Sequence, residues 1–403
     1  MANLAQGVAK IVSYKRESQW GTPAGASGAQ QLRRVTAGFN LVKETYESNE
    51  IRTDRQVADM RHGVRSAEGT LNGELSSQTY ADFMGSLLAR DFTVVAPTTI
   101  ASLDISAGLS GTWELERAAG DFIVDGYTVG QVIRLTATTI NAANEDKNLL
   151  VTGVATNTLT VVVLNGTAMV AETVTACDIT TPGQRTYVPK SGHTDQSYTI
   201  EEWYSDINQS EVYTGMKVGN MNVQLPASGL ATIDFTFQGK DLSITNTTQY
   251  FTTPTPQGSD GIYAAVSGLL VFNGVPVAVV TSVDFAVERA LENAQVVGSN
   301  SIAEIFTGRI RTTGNMSVYF TDAEFRDKFD DEVPVSLVFA FTEGTAPDAS
   351  VLTFTLPKVK VGSFTKDDSE TGLVASSSFV GILNDVTGTG LPETTIQIQD
   401  TAL

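Results

Sequence analysis

The chain has 403 residues, enough for two or three domains that each bury a core. One cysteine, Cys177, rules out an internal disulfide, and two histidines, His62 and His193, leave little for histidine-based metal sites. With 26 Lys/Arg against 45 Asp/Glu the formal charge is −19, which excludes a conventional nucleic-acid binder that neutralises phosphates.

The N-terminus has no apolar stretch followed by a cleavage pattern, so no targeting segment is expected. Residues 1–90 carry 11 Lys/Arg against 9 Asp/Glu, leaving 15 against 36 in the remainder. Such asymmetry fits differently charged surfaces that meet in self-assembly or with a partner; a merely soluble acidic protein is the plainer reading. Segment 41–62 (LVKETYESNEIRTDRQVADMRH) is long and densely charged with both signs. In a β scaffold such a loop is a partner surface or a disordered surface loop. After it, 63–76 reads as a strand. Residues 78–90 predict a helix, because Tyr80, Phe83, Met84, Leu87 and Leu88 form one stripe, with Ser76 or Ser77 as its cap.

Residues 98–190 are strand-rich, with turns at Gly120, Asp125-Gly126 and Asn141. Asn165-Gly166 predicts a hairpin between 159–164 and 167–174. In 231–237, Ala231, Ile233, Phe235 and Phe237 share one face of a strand. Residues 261–280 have the length and apolarity of a membrane span, but Asn273-Gly274 and Pro276 interrupt them, so two buried strands are expected. A second short helix is expected over 322–331, with Thr321 and Glu324 at capping-box spacing. Further strands are expected at 335–341 and 351–356.

Two internal matches organise the chain. Residues 63–84 fall on 308–329 at a separation of 245, with Gly63 on Gly308, Gly69 on Gly314 and Asp82 on Asp327. Residues 216–230 fall on 359–373 at a separation of 143, with Lys217, Val218 and Gly219 on Lys360, Val361 and Gly362. Beyond Gly372 the apolar face changes parity, which predicts a β-bulge in one copy. The unequal separations place about a hundred extra residues in the first copy. The expectation is mainly β: a first half-domain from 1–97 and 191–250, a small β domain inserted at 98–190, and a second half-domain at 251–403. Each half is expected to be a barrel or sandwich with one short helix.

Chemistry is sparsely represented. There is no G-x-S-x-G elbow, CxxC, HExxH or EF-hand spacing. His193 lies near Ser191, Asp195 and Ser197, but one loop seldom supplies a whole triad. The acidic run Asp322, Glu324, Asp327, Asp330, Asp331 and Glu332 reads as the solvated face and first turn of a helix rather than a cation site. Gly388 and Gly390 read as a turn, and Cys177 as a buried small hydrophobe. No catalytic residue, metal or cofactor is expected.

The opening KRESQWGTPAG (15–25), then ESNEIRTDRQ (47–56), GVRSAEGTLNGELS (63–76) and YADFMGSLLAR (80–90), resembles the phage tail tube proteins in its order of elements. So does TIEEWYSDINQSEVYTGMKVGNMNVQLPASGLATIDFTFQGKD (199–241). The segment AAGDFIVDGYTVGQVIRLTAT (118–138) is similar to small β modules of phage structural proteins. The resemblance implies a structural, non-enzymatic subunit whose folds close six to a ring, with neighbouring strands joined into an inner barrel. Rings stack into a hollow tube through which DNA passes without specific binding. With two folds per chain, three chains would complete a ring, and the inserted domain would decorate its outer wall. Implied partners are further copies of the chain, tail terminator, tail tip and tape measure proteins; implied locations are the virion tail and, during assembly, the host cytoplasm, without a membrane. The overall similarity leans towards flagellum-targeting (Chi-like) phages with long non-contractile tails. Lys43, Glu44, Glu47, Glu50, Arg52, Arg55 and Arg61 are the expected contacts between subunits or rings. A β-sandwich adhesin or carbohydrate-binding protein is the alternative, and it would need an exposed aromatic platform, which Trp20, Trp113 and Trp203 are too dispersed to suggest.

Overall fold

Short β-branched and aromatic runs between Gly, Asn and Asp turns fold into strands, and the chain is mainly β. The structure is a computed structural model and describes residues 4–277, 280–319, 332–367 and 372–403. The first region holds β1 (Lys10–Arg16), β2 (Gln30–Gln31), β3 (Thr36–Glu47), β4 (Met60–Glu74), helix α1 (Ala81–Leu87) and β5 (Thr93–Val94). Six strands follow: β6 (Thr98–Ala107), β7 (Trp113–Arg117), β8 (Val132–Thr136), β9 (Leu149–Val154), β10 (Thr158–Val163) and β11 (Glu172–Thr180). Then come β12 (Gln184–Tyr187), β13 (Tyr198–Tyr204), β14 (Gln209–Leu225), β15 (Thr232–Gly239) and β16 (Asp241–Asn246). The last region holds β17 (Gly268–Phe272), β18 (Val275–Val277), β19 (Val280–Ala294), β20 (Glu304–Tyr319), β21 (Val335–Thr342), β22 (Val351–Lys366), β23 (Val374–Gly381) and β24 (Gln397–Asp400).

Two strand groups repeat. On one face, β3-β4-β15-β14 is matched by β19-β20-β23-β22, all antiparallel. On the other, β2-β1-β13-β14-β16 is matched by β18-β17-β21-β22-β24. The registers coincide: Gly69 faces Phe39 and Phe237, as Gly314 faces Phe285 and Phe379. Both long hairpins carry a bulge at the same place, between Lys43 and Thr45 and between Arg289 and Leu291. At Gly69 and Gly314 a side chain would collide with the Phe39 and Phe379 rings, so packing demands glycine.

The expected single bulge is corrected. Gly219 and Gly362 both sit at register shifts, between Val218 and Asn220 and between Val361 and Ser363. The parity change arises in the turn instead. Gln224 pairs with Thr232 across seven residues, whereas the Asp367 amide bonds the Val374 carbonyl across six.

Helix α1 is shorter than its stripe because Gln78 and Ala89 adopt left-handed φ of 62° and 57° on either side. The serine cap is also corrected. Ser76 Oγ bonds Thr79 Oγ1 and Ser77 Oγ bonds Tyr263 Oη, so neither is free for the helix amides. Phe83 drives the packing, with ring centroids 4.8 Å from Tyr14, 5.2 Å from Tyr198, 5.2 Å from Phe237 and 5.6 Å from Phe235. The second expected helix lies outside the described residues apart from its flank. Asn273-Gly274 does make the expected turn, with φ of 48° and 84° joining β17 to β18.

Strands β6–β11 close into a separate barrel in the order β10-β7-β6-β11-β8-β9, around Leu103, Leu115, Leu135, Val151, Leu159 and Cys177. Here the Asn165-Gly166 hairpin fails: β10 pairs with β7 and β9, and β11 with β6 and β8. Asn165 Nδ2 donates to the Gly344 carbonyl at 2.7 Å, so the segment is spent on docking the barrel. A second apolar cluster (Val129, Val132, Leu150, Val271, Val338, Ala340 and Val351) and paired bonds between Gln399 and the Val132 backbone complete that contact. The barrel therefore rests on β17, β21, β22 and β24, not on the strands nearest it in sequence.

Candidate assembly interface

Strand β14 joins the two groups. Its second half pairs with β15 on one side and with β19 on the other, Asn220 facing Glu288, Met221 facing Val287 and Val223 facing Phe285. The result is one sheet ordered β3-β4-β15-β14-β19-β20-β23-β22. Its inner face is continuous across the β14–β19 seam, where Met221, Val223, Phe285 and Val287 are fully buried. Burial alternates along these strands, so the opposite face carries the polar residues. There Glu68, Glu74, Asp234, Asp284 and Glu288 stand against Arg309 and Arg311.

The sheet ends in two open edges. Among the described residues β3 pairs with β4 alone, and residues 360–365 of β22 pair with β23 alone. Open edges invite further strands.

Lys217 marks the seam. Its side chain is 4% exposed, and its ammonium lies 2.5 Å from Asp195 Oδ2, 2.9 Å from the Ile305 carbonyl and 3.3 Å from Glu304 Oε1. Arg289 joins from β19, donating to Asp195 at 3.5 Å and to the Ser86 carbonyl at 3.1 Å. Burial lowers the pKa of the Arg289 guanidinium, and Asp195 acts against that. Two cations and two carboxylates thus straddle the joint. The repeat matched Lys217 to Lys360, but its role was not read; the available signal was an acid at Asp59 and Glu304, 245 apart.

The charged segment forms an arm. β3 and β4 run on past the sheet, with Glu47 facing Met60, and residues 48–59 close the loop. Lys43, Glu44 and Glu47 lie on β3, Glu50, Arg52 and Arg55 in the loop, and Arg61 on β4; all are exposed. They form local pairs: Arg52 with Asp54 (2.8 Å) and Arg61 with Asp59 (2.9 Å). The Tyr46 hydroxyl and then the Gln295 amide hold the Glu44 carboxyl below its ordinary pKa. Ile51 and Val57 are fully and largely exposed. The matching loop 295–303 of the second arm folds back onto the first arm's stem. There Gln295 donates to Glu44 at 2.8 Å, and the Arg65 amide bonds the Asn300 carbonyl at 2.9 Å.

The residues considered for chemistry are dispersed. Asp195 serves Lys217 and Arg289, and Ser197 Oγ donates to the buried Glu17 at 2.6 Å, while His193 is exposed. His62 is exposed on β4. Burial pushes the Cys177 thiol up to about 11, which keeps it protonated and inert at neutral pH. Among the described residues no group of three or more His, Cys, Asp or Glu is placed to hold a metal. Of the acidic run only Glu332 is described, 3.3 Å from Lys360. Gly388 and Gly390 form the expected turn. Trp20 lies in the N-terminal loop, donating to the Gly215 carbonyl at 3.1 Å, while Trp113 and Trp203 lie on β7 and β13.

Among the described residues no helix is long and apolar enough to cross a membrane. No curated protein matches the chain. The family model described as phage tail tube protein matches residues 7–388, nearly the whole length. The chain belongs to the phage tail tube protein family.

Proposed function

We propose that three copies of this chain close into a ring, and that rings stack into the hollow tube of a long-tailed phage. The observation that carries this reading is the β14–β19 seam, which joins two like strand groups into one sheet and leaves one open edge at each end. Each chain then supplies two tube folds, from 1–97 with 191–250 and from 251–403, and three chains supply six. The barrel within 98–190 stands on the outer wall, three per ring. The polar face of the sheet lines the bore, where an excess of carboxylates repels phosphate and lets DNA slide during ejection. The arm residues Lys43, Glu44, Glu47, Glu50, Arg52, Arg55 and Arg61 contact neighbouring subunits. Tail terminator, tail tip and tape measure proteins are the further partners, and the subunit does no catalysis. The outer barrel and the overall resemblance favour a non-contractile tail of the flagellum-targeting type. Native mass spectrometry and electron microscopy of isolated rings test the stoichiometry: three chains are expected, and six chains per ring would overturn it.

A further inference from the structure

The joint inside the chain gives the geometry of the joint between chains, an inference that rests on the ring reading above. A shift of 143 residues carries β14 onto β22, and a shift of 246 carries β3 onto β19. With β15 carried onto β23 by 142, one less because of the shorter turn, the Lys217–Gln238 pair becomes Lys360–Val380, and the bulges at Gly219 and Lys43–Thr45 fall on those at Gly362 and Arg289–Leu291. The open edge of β22 is therefore the counterpart of the edge of β14 that β19 covers. The open edge of β3 is likewise the counterpart of the edge that β19 offers β14.

The charges follow the same rule. Lys217 has Asp195 beside it from its own half, and Lys360 has Glu332. Across the seam Lys217 meets Glu304, and Asp59 stands at the corresponding position on the first arm, as the pairs Asn293–Ile305 and Glu47–Met60 establish. Arg289, which reaches Asp195, corresponds to Lys43. All four positions keep their sign. Phe364 and Leu41, both half-buried, correspond to the buried pair Met221–Val287.

We propose that β22 of one copy pairs antiparallel with β3 of the next, with Ser363 opposite Val42, Phe364 opposite Leu41 and Thr365 opposite Asn40. Lys360 and Glu332 of the first copy then meet Asp59 and Lys43 of the second, and the loop 48–59 lies along the preceding copy's stem near Ile310. The two edges are opposite ends of one sheet, so the contact is head-to-tail, the kind that builds a ring when the rotation per copy closes. Two carbonyls on β3 already accept bonds within the chain, Ala37 from Lys10 Nζ and Phe39 from Tyr213 Oη, both at 2.7 Å. Each keeps a lone pair for an incoming strand. Two positions depart from the internal seam. Lys366 stands where Val223 does, and Ala290 stands where Glu44 does, so the Gln295–Glu44 contact has no counterpart.

The test is charge exchange in the full-length chain, read by sedimentation and electron microscopy, with thermal melts to confirm folding. Lys360→Glu and Asp59→Lys alone are each expected to weaken ring formation about thirtyfold or more, and the double variant to recover most of it. A second readout pairs Leu41→Cys with Phe364→Cys. Oxidation of assembled protein is expected to give covalently closed trimers, while Leu41→Cys with Thr365→Cys, out of register, gives few. If wild-type protein forms rings but the single variants assemble normally and the in-register cysteines stay reduced, the proposed seam is overturned and the ring reading stands. If wild-type protein forms no rings, the ring reading itself fails.

Discussion

Lys217 offers a direct test of how the internal seam is stabilised. Replacing it by methionine keeps most of the stem volume and removes the charge. Asp195 and Glu304 are 48% and 45% exposed, so both rehydrate once the ammonium is gone. The main loss is the charged bond to the Ile305 carbonyl, worth about 1.5–3 kcal/mol, part of which is offset because the ammonium need no longer be desolvated. A net cost of about 1–2 kcal/mol is expected for Lys217→Met. The opposite perturbation, Asp195→Asn with Glu304→Gln, leaves the buried ammonium with the Ile305 carbonyl and the Trp20 ring, whose centroid is 5.8 Å away, and the buried Arg289 guanidinium with the Ser86 carbonyl. That is expected to cost about 3–5 kcal/mol. Urea unfolding of the monomer measures both. Trp113→Phe in the background silences the barrel, so that Trp20 and Trp203 report on the sheets. If Lys217→Met proves as costly as the double acid variant, the argument that partner exposure sets the asymmetry is refuted.

Deleting 45–60 and bridging the arm with glycines should leave a folded chain by circular dichroism that forms no rings in the electron microscope; normal rings would remove the arm from assembly. Phe83→Ala should lower stability by about 3–5 kcal/mol in urea unfolding, because four aromatic rings lose their common neighbour. Arg16, bonded at 2.8 Å and 3.2 Å, holds the half-exposed Asp91 carboxyl below its ordinary pKa, with burial opposing and Gln196 assisting. A lowered folded-state value means that this contribution is present above about pH 4 and is lost as pH falls through the lowered value. Asp91→Asn should therefore flatten the acid limb of the melting curve, by under about 1 kcal/mol given its exposure; an unchanged limb would show that the pair is inert.

Much of the fold was legible because it rests on alternation and turn chemistry. The face made by Ala231, Ile233, Phe235 and Phe237 is fully buried, and Asn273-Gly274 turns as its side chains require. The same dipeptide at Asn165-Gly166 misled, because the Gly344 carbonyl captured the Asn165 amide and the flanking strands found other partners. Local composition cannot announce a distant acceptor. The serine cap failed likewise, since Ser77 is taken by Tyr263, 186 residues away. The sequence marked the charged arm as a separate exposed element but not Lys217, whose buried ammonium depends on Asp195, Glu304 and Ile305 from separate elements.

The barrel joins the body through neighbouring strands. The chain leaves at β5 and returns at β12, and these pair directly, Thr93 with Arg185 and Val94 with Gln184. About ninety residues therefore begin and end at adjacent points on one sheet. Such a junction is a socket: any module whose own termini lie close together can be exchanged there without shifting a single strand of the body. The newcomer must cover Val271, Val338, Ala340 and Val351 and satisfy Gln399, the Thr353 hydroxyl and the Gly344, Asp348 and Ala349 carbonyls. The barrel is thereby free to change while the sheets beneath it stay fixed.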